Sequence, residues 1–202
     1  MKYLLVAISA IVCSSIVTFA SAQTQSKSPT ATSAPSTQQL VPAESNIRFI
    51  SKQMGVPVEG VFKRFTVQSQ FDPKRPEASS VSLSVDLLST EIGSADTEKE
   101  LKKPGWFDSV RRPNATFASS AIKSVAPGKY EVDGQLSIKG VSQRVLVPVT
   151  LTQRGSVTYA DGTFQIKRMD FKIGDGEWND ISIVANEVIV KFRLALTGVP
   201  AI

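Results

Sequence analysis

The chain has 202 residues, a length typical of one domain, and a formal net charge of +5. It contains no histidine and one cysteine, Cys13, so serine–histidine–acid catalysis, cysteine–histidine catalysis and an internal disulfide are all excluded. Its charges are scattered and no nucleic-acid-binding motif occurs, so the sequence predicts no nucleic-acid partner.

Three segments of different composition divide the chain. Met1-Lys2 gives a short basic start, residues 4–19 are mostly apolar, and Ala20-Ser21-Ala22 matches a cleavage site, so residues 1–22 are predicted to be a secretory signal peptide. Residues 23–39 consist mainly of Ser, Thr, Gln, Pro and Ala and cannot bury a core, which predicts a disordered tether. Residues 40–202 then form the folded domain, and we expect it to reach the periplasm.

Three strands are predicted before any helix, at residues 45–53, 58–71 and 79–88. Apolar residues alternate with polar ones in each, as in a half-buried strand. Phe62 is out of phase with the later residues of its strand, which predicts a bulge near Lys63-Arg64.

One helix is predicted at residues 94–103, because Ser94 can cap its start and Pro104-Gly105 stops it. A fourth strand follows at residues 114–125. Phe117 and Ile122 are out of phase with each other there, which predicts another irregularity.

Residues 129–152 carry the clearest pattern in the chain, two alternating runs joined by Lys139-Gly140. A two-residue turn sets Ile138 opposite Val141, and both belong to the apolar face, so pattern and turn chemistry agree on a hairpin. Pro148 cannot donate to a ladder, which predicts a break or bulge in the second strand.

Residues 156–171 are predicted to form either one long strand or two, and a last strand at residues 187–196 brings the total to about eight. The expected fold is therefore all-β, an eight-stranded antiparallel barrel with one short inserted helix. Such a barrel leaves no open edge and can hold one small ligand inside.

Four separated motifs resemble the YceI-like family in the same order. They are FDPKRPEASSVSLSVDLLST from Phe71, GWFDSVRRPNATFAS from Gly105, GQLSIKGVSQRVLVPVTL from Gly134 and IKRMDFKIG from Ile166. The resemblance covers about residues 40–196. It departs from the family where the first strand lacks a histidine and where the loop GDGEWND at residues 174–180 carries extra acidic residues.

The resemblance implies a lipocalin-like barrel, secreted by bacteria, that binds polyisoprenoids or isoprenoid quinones inside. It also implies a possible membrane surface or b-type cytochrome as partner. A bound isoprenoid or other lipid is expected, with no other cofactor, no metal and no catalytic residues. The oligomeric state is left open.

The in-phase apolar residues pack a solid core or line a cavity, and the resemblance favours the cavity. The candidate ligand-binding residues are Phe49, Phe65, Val67, Phe71, Val85, Phe117, Leu136, Ile138, Val147, Val149, Phe164, Ile166 and Phe192. Trp106 and Phe107 are added as an aromatic pair at the barrel mouth, flanked by the cations Lys102, Lys103, Arg111 and Arg112. This pair either caps a ligand beside a basic rim or anchors the helix to the barrel.

An alternative function is a secreted hydrolase that uses carboxylates alone. Asp175, Glu177 and Asp180 share one short loop, and two carboxylates can act as acid and base. A solvated turn explains the same residues. Arg168 and Asp170 are interpreted as an ion pair across a barrel end.

Overall fold

The computed structural model describes residues 37–202. The predicted signal peptide, Cys13 and residues 23–36 of the predicted tether lie outside the described residues. At the end of that tether, Gln39 pairs with Thr197 in a short strand, so the ordered domain includes residues that their composition assigned to the tether.

Eleven strands and one α-helix make up the regular structure of the described residues. The strands before the helix are β1 (Gln39–Leu40), β2 (Asn46–Gln53), β3 (Val56–Phe62), β4 (Phe65–Gln70), β5 (Ser80–Asp86) and β6 (Thr90–Glu91). The helix α1 (Ala95–Leu101) precedes β7 (Asn114–Ala126), β8 (Lys129–Ile138), β9 (Val141–Arg154), β10 (Val157–Lys167) and β11 (Glu187–Thr197). Short 3-10 helices occupy Pro42–Glu44, Pro76–Ala78, Leu87–Ser89, Arg168–Phe171 and Gly176–Trp178.

All strands belong to one curled antiparallel sheet with the order β4-β5-β7-β8-β9-β10-β11-β2-β3-β6, and β1 pairs with β11 beside β2. The all-β, lipocalin-like class is as predicted, with more strands than the eight expected. The expectation that every edge is closed is wrong, because among the described residues no ladder joins β4 to β2, β3 or β6.

The predicted single strand at residues 58–71 is two strands that belong to opposite edges of the sheet. Lys63-Arg64 separates them, so the irregularity is confirmed at its predicted position but is a corner rather than a bulge. β3 pairs with β2, whereas β4 pairs with β5. The corner is held by the backbone N–H of Lys63, which donates to the Ser89 carbonyl at 3.1 Å.

The β8–β9 hairpin has the predicted register, with Ile138 opposite Val141. Lys139 (φ 53°) and Gly140 (φ 78°) are both left-handed, as a primed turn requires. The predicted break at Pro148 is wrong, because β9 is continuous from Val141 to Arg154. Hydrogen-bonded and non-hydrogen-bonded pairs alternate along the hairpin from Ile138–Val141, and Glu131–Pro148 is a non-hydrogen-bonded pair. A residue at the position of Pro148 therefore donates no hydrogen bond to β8, and proline fits there. The ladder to β10 begins only at Val149.

The helix and the strand that follows it match their predictions. Ser94 caps α1 by accepting from the backbone N–H of Thr97 at 3.4 Å. In β7, register shifts lie between Ser119 and Ala121 and between Ser124 and Ala126, and the first separates the out-of-phase Phe117 and Ile122.

Inward-facing side chains form two buried clusters, one at the end of the barrel that carries α1 and one at the opposite end. The first, at what we call the helix end, includes Val85, Leu101, Phe107, Ile138 and Phe171. The second includes Phe71, Ile122, Tyr130, Val132 and Val147. Among the described residues, no helix has the length and hydropathy that a membrane span requires.

Candidate functional site

The inner face of the sheet surrounds a cavity of about 230 Å3 that runs between the two clusters. Its lining is almost entirely apolar. The polar side chains in that lining are few: Ser51, Ser69, Trp106, Tyr130, Thr158 and Arg168. Such a wall favours a ligand with a large apolar surface, because moving hydrocarbon out of water lowers the free energy.

Fourteen of the fifteen side chains predicted for a ligand cavity lie in this wall. They are Phe49, Val67, Phe71, Val85, Trp106, Phe107, Phe117, Leu136, Ile138, Val147, Val149, Phe164, Ile166 and Phe192. Several, among them Leu136, Phe164 and Phe192, are only half-buried, which agrees with empty space in front of them. That they bind a ligand stays a prediction.

The exception is Phe65, which the structure does not place in the cavity wall. Phe65 is the first residue of β4 and lies directly after the corner at Lys63-Arg64. It lines a groove on the side of the barrel instead, together with Phe62. Phe65 alternates with Val67 as predicted, but alternation in the sequence does not indicate how far along the barrel a residue lies.

The predicted residues make up 14 of the 36 that line the cavity, so more than half of the wall was missed. Tyr130 and Val132 belong to the same alternating stripe as Leu136, and Val188, Val190, Leu194 and Leu196 are in phase with Phe192, so periodicity contained the signal for these. Leu87 and Leu101 come from a 3-10 helix and from α1. Leu87 is nevertheless in phase with Val85 in the predicted strand at residues 79–88, whereas no strand pattern could have found Leu101.

The space in the barrel depends on three phenylalanines that lie against strand glycines. A Cβ built on Gly60 would lie 2.3 Å from Cζ of Phe49, its direct ladder partner. A Cβ on Gly134 would lie 2.5 Å from Cζ of Phe117, and Gly162 has the same relationship with Phe192. Each ring therefore occupies the place of a missing side chain along the wall rather than filling the centre.

Arg168 fixes the loops at the helix end. Its side chain is 2% exposed, and the guanidinium donates to the carbonyls of Ile173 (2.8 Å), Trp178 (2.7 Å) and Val184 (2.9 Å). The carbonyls of Gly174 and Ala185 accept further bonds at 3.1 and 3.2 Å.

Burial lowers the pKa of the Arg168 guanidinium through desolvation, and the nearby Asp175 acts against this. The interpretation of an Arg168–Asp170 ion pair is wrong, because Asp170 is exposed and the guanidinium is saturated by backbone carbonyls. Arg168 holds the loop after β10 and offers no free donor to a ligand.

Trp106 and Phe107 both line the cavity and also hold neighbouring elements together. Trp106 packs on Trp178 with ring centroids 5.6 Å apart, and Phe107 packs on Phe62 at 6.3 Å. The backbone N–H of Phe107 donates to the carbonyl of Leu101 at 2.9 Å, which ties the pair to the end of α1. The anchoring role is thus visible in the contacts, and the capping role stays a prediction.

The basic rim beside this pair is partly neutralised. Arg111 and Arg112 both bind the carboxylate of Asp108 at 3.0 Å, and Asp108 is 2% exposed. Lys103 binds Glu100 at 2.5 Å, and this contact raises the pKa of Lys103. The rim therefore offers less free positive charge than its sequence indicates.

The acidic loop does not form a catalytic group. Asp175 binds Lys139 at 3.1 Å, and Asp180 accepts from the hydroxyl and the backbone N–H of Ser182 at 2.7 and 2.8 Å, which lowers its pKa. Glu177 is exposed, and the three carboxylates lie outside the cavity wall. Within residues 37–202, no three acidic, histidine or cysteine side chains are grouped as a metal site would need.

Known proteins resemble this chain in both sequence and fold. A UPF0312 protein of Ectopseudomonas mendocina is 28% identical over 120 residues, which span 56% of this chain and 63% of that relative's length. A UPF0312 protein of Vibrio parahaemolyticus is 24% identical over 164 residues, or 78% of this chain and 82% of the relative.

Among solved structures, BcnA of Burkholderia cenocepacia is 43% identical with a TM-score of 0.76, covering 78% of this chain and 99% of BcnA. A polyisoprenoid-binding domain of Saccharophagus degradans is 15% identical with a TM-score of 0.66, covering 82% and 99%, which shows a shared fold. The YceI-like domain matches residues 38–196. The chain therefore belongs to the YceI-like family.

Proposed function

We propose that this protein binds a long-chain lipophilic ligand, a polyisoprenoid or an isoprenoid quinone, inside its barrel and acts as a carrier rather than as an enzyme. The observation that carries the proposal is the cavity, whose wall is apolar along both buried clusters. Burying hydrocarbon there is favourable by about 25 cal/mol for each Å2 removed from water. The polyisoprenoid-binding neighbour has the same fold, which supports this ligand class.

The proposal includes a place and a route. The apolar segment and the Ala20-Ser21-Ala22 site support export to the periplasm through a cleaved signal peptide. A carrier there would collect its ligand from a membrane surface or deliver it to a membrane protein such as a b-type cytochrome. No metal or prosthetic group has a role in this scheme.

The test is to express the full-length chain in a bacterium and to isolate the protein from the periplasmic fraction. We expect an intact mass that starts at Gln23, and native mass spectrometry should find a lipid that organic solvent extracts. The delipidated protein should then take up a fluorescent long-chain prenol, and unlabelled prenol should displace it. Protein that carries no lipid and takes up neither prenols nor quinones would contradict the proposal.

A further inference from the structure

A groove of about 600 Å3 lies on the side of the barrel, where β2 and β4 face each other without a ladder. We call it the lateral groove. Its lining includes Ser45 and Asn46 on one side, Thr66, Ser84 and Asn114 on the other, and Phe65 near the corner between β3 and β4.

The lateral groove and the cavity share a thin wall. Ile47 and Phe62 line both spaces, so one layer of side chains separates them. Phe62 is only half-buried. Because no backbone hydrogen bonds join β2 to β4 in the described part of the chain, a shift of these side chains can open a passage without breaking a ladder.

The cavity wall offers few free polar partners to a head group, although the Nε1–H of Trp106 is buried there without a hydrogen bond. Among the described residues, Arg168 is the only charged one in the lining, and backbone carbonyls already accept hydrogen bonds from its guanidinium. The hydroxyl of Thr158 is buried at the opposite end of the barrel. A hydroxyl or carbonyl oxygen placed against an apolar wall without a partner is destabilised, because it gives up its hydrogen bonds to water.

The polar groups of the lateral groove favour an uncharged head. Arg64 is held by Asp86 through Nε at 2.9 Å and Nη2 at 2.7 Å, and Lys63 is held by Glu91 at 3.5 Å. An anionic head would have to compete with these carboxylates. The side chains of Thr66, Ser84 and Asn114, by contrast, form no hydrogen bond with any residue from 37 to 202.

We propose that the lipid chain lies in the cavity while its head lies in the lateral groove, and that this head is uncharged and carries a hydroxyl or carbonyl oxygen. The inference rests on the proposed function and specifies its ligand. Thr66, Ser84 and Asn114 supply the hydrogen bonds, and Ile47 and Phe62 flank the chain where it enters the wall.

A second surface groove also borders the cavity, through Tyr130, Val149 and Phe192. The ring of Phe192 fills the opening that Gly162 would leave there. A continuous ladder joins β10 to β11 at that level, whereas the ladder from β9 to β10 ends at the Val149–Gly162 pair. The Phe192 ring therefore closes this groove, and the groove is included in the test as the competing head site.

The test uses a long-chain prenyl maleimide, whose reactive group stands in for the head. Single cysteines are introduced in a Cys13→Ser background at three exposed threonines on strands. The variants are Thr66→Cys in the lateral groove, Thr163→Cys in the second groove and Thr152→Cys beside the intact β9–β10 ladder. Each labelling rate is divided by the rate with N-ethylmaleimide, which corrects for thiol reactivity. We expect the ratio to be about tenfold or more higher at Thr66→Cys than at Thr152→Cys, because the bound chain concentrates the maleimide there.

Equal ratios at the three positions, or the highest ratio at Thr163→Cys, would overturn the lateral groove as the head site. Uptake of unreactive prenol is measured in parallel on the Cys13→Ser parent and on Thr152→Cys, and its absence in both would instead overturn the proposed function. The head class is tested with prenol and prenyl phosphate of one chain length. We expect prenol uptake to be at least as tight and insensitive to salt, and tighter, salt-weakened uptake of the phosphate would overturn an uncharged head.

Discussion

The ring of Phe192 occupies the space that a side chain on Gly162 would need. The two residues are direct partners in the β10–β11 ladder, and a Cβ on Gly162 would lie 2.2 Å from Cζ and 2.5 Å from Cε1 of the ring. The ring therefore lies along the barrel wall. A large aromatic side chain at this inward position leaves the centre open only because its partner is glycine.

Gly162→Ala should move the Phe192 ring into the cavity. The backbone of Gly162 does not have a positive φ, so alanine is tolerated there and the clash falls on the ring. We expect lipid uptake to fall several-fold, with a loss of stability near the lower end of the roughly 1–3 kcal/mol found for overpacking, because the cavity has room for the ring. Thermal melting and fluorescent prenol uptake measure the two effects.

Two further variants distinguish this effect on the cavity from a general loss of stability. Adding Phe192→Leu to Gly162→Ala should restore uptake, since the shorter side chain no longer needs the glycine. Gly134→Ala should be much more destabilising, because its Cβ would lie 2.5 Å from the backbone carbonyl oxygen of Ala118, which cannot rotate away. Uptake that stays normal in Gly162→Ala would show that the ring position does not shape the binding space.

Leu136 tests whether the hairpin's apolar face borders a cavity or a solid core. In a solid core, Leu136→Trp costs about 1–3 kcal/mol or more and Leu136→Ala about 2–5 kcal/mol. Leu136 is half-buried and lines the cavity, so both costs should be smaller. We expect the tryptophan variant to stay folded and lose lipid uptake, and the alanine variant to keep it. A strongly destabilised Leu136→Trp that still takes up lipid would argue against this placement.

Local patterns were enough to predict most strands of this fold. The facing of Ile138 and Val141 follows from alternation and a two-residue turn, and the break in phase between Phe117 and Ile122 appears as a register shift in β7. Both depend on residues close in sequence. The prediction of a lipocalin-like barrel with a ligand cavity came from the family resemblance.

What sequence could not reveal depends on contacts between distant residues. Nothing near Lys63-Arg64 indicates that β3 and β4 join different edges of the sheet, and this decided where Phe65 lies. The cavity depends on cross-strand partners such as Phe49 and Gly60. These two residues become neighbours only through the register of the β2–β3 ladder, which the sequence does not specify. The guanidinium of Arg168 donates its hydrogen bonds to backbone carbonyls of a folded loop. The pattern of charges in the sequence gives no sign of these partners.

Arg168→Lys should loosen the loop that follows β10. A lysine has three donors where Arg168 serves five backbone carbonyls, and each buried acceptor left without a partner costs about 1–3 kcal/mol. We expect the melting temperature to fall by about 4 °C or more, on a scale of about 2–4 °C per kcal/mol. Arg144→Lys, at an exposed ion pair with Asp133, is the matched control and should melt like the parent protein. A normal melting temperature for Arg168→Lys would mean that water replaces the lost bonds.

Gln38 connects the start of the domain to the free edge of β4. Its side-chain oxygen accepts from Ser69 Oγ at 2.5 Å and from the backbone N–H of Phe71 at 3.0 Å, and its amide nitrogen donates to the Phe71 carbonyl at 2.6 Å. Because β1 pairs with β11, this side chain joins two sides of the barrel that no ladder within residues 37–202 joins at this end.

Gln38→Ala removes all three hydrogen bonds, and Gln39→Ala is the natural control because that neighbouring side chain is exposed. At about 0.5–1.5 kcal/mol for each of the three bonds, we expect Gln38→Ala to lose roughly 1.5–4.5 kcal/mol of unfolding free energy and Gln39→Ala to lose almost none. The loss should be local as well, because the β1–β11 ladder has only two residue pairs. Hydrogen exchange should therefore accelerate at Leu40 and Val41, where the Val41 N–H donates to the Ala195 carbonyl at 2.8 Å, while the β8–β9 hairpin stays protected. Unchanged exchange at both residues would mean that the β1–β11 pairing and the packing of Leu40 hold the start of the domain without Gln38.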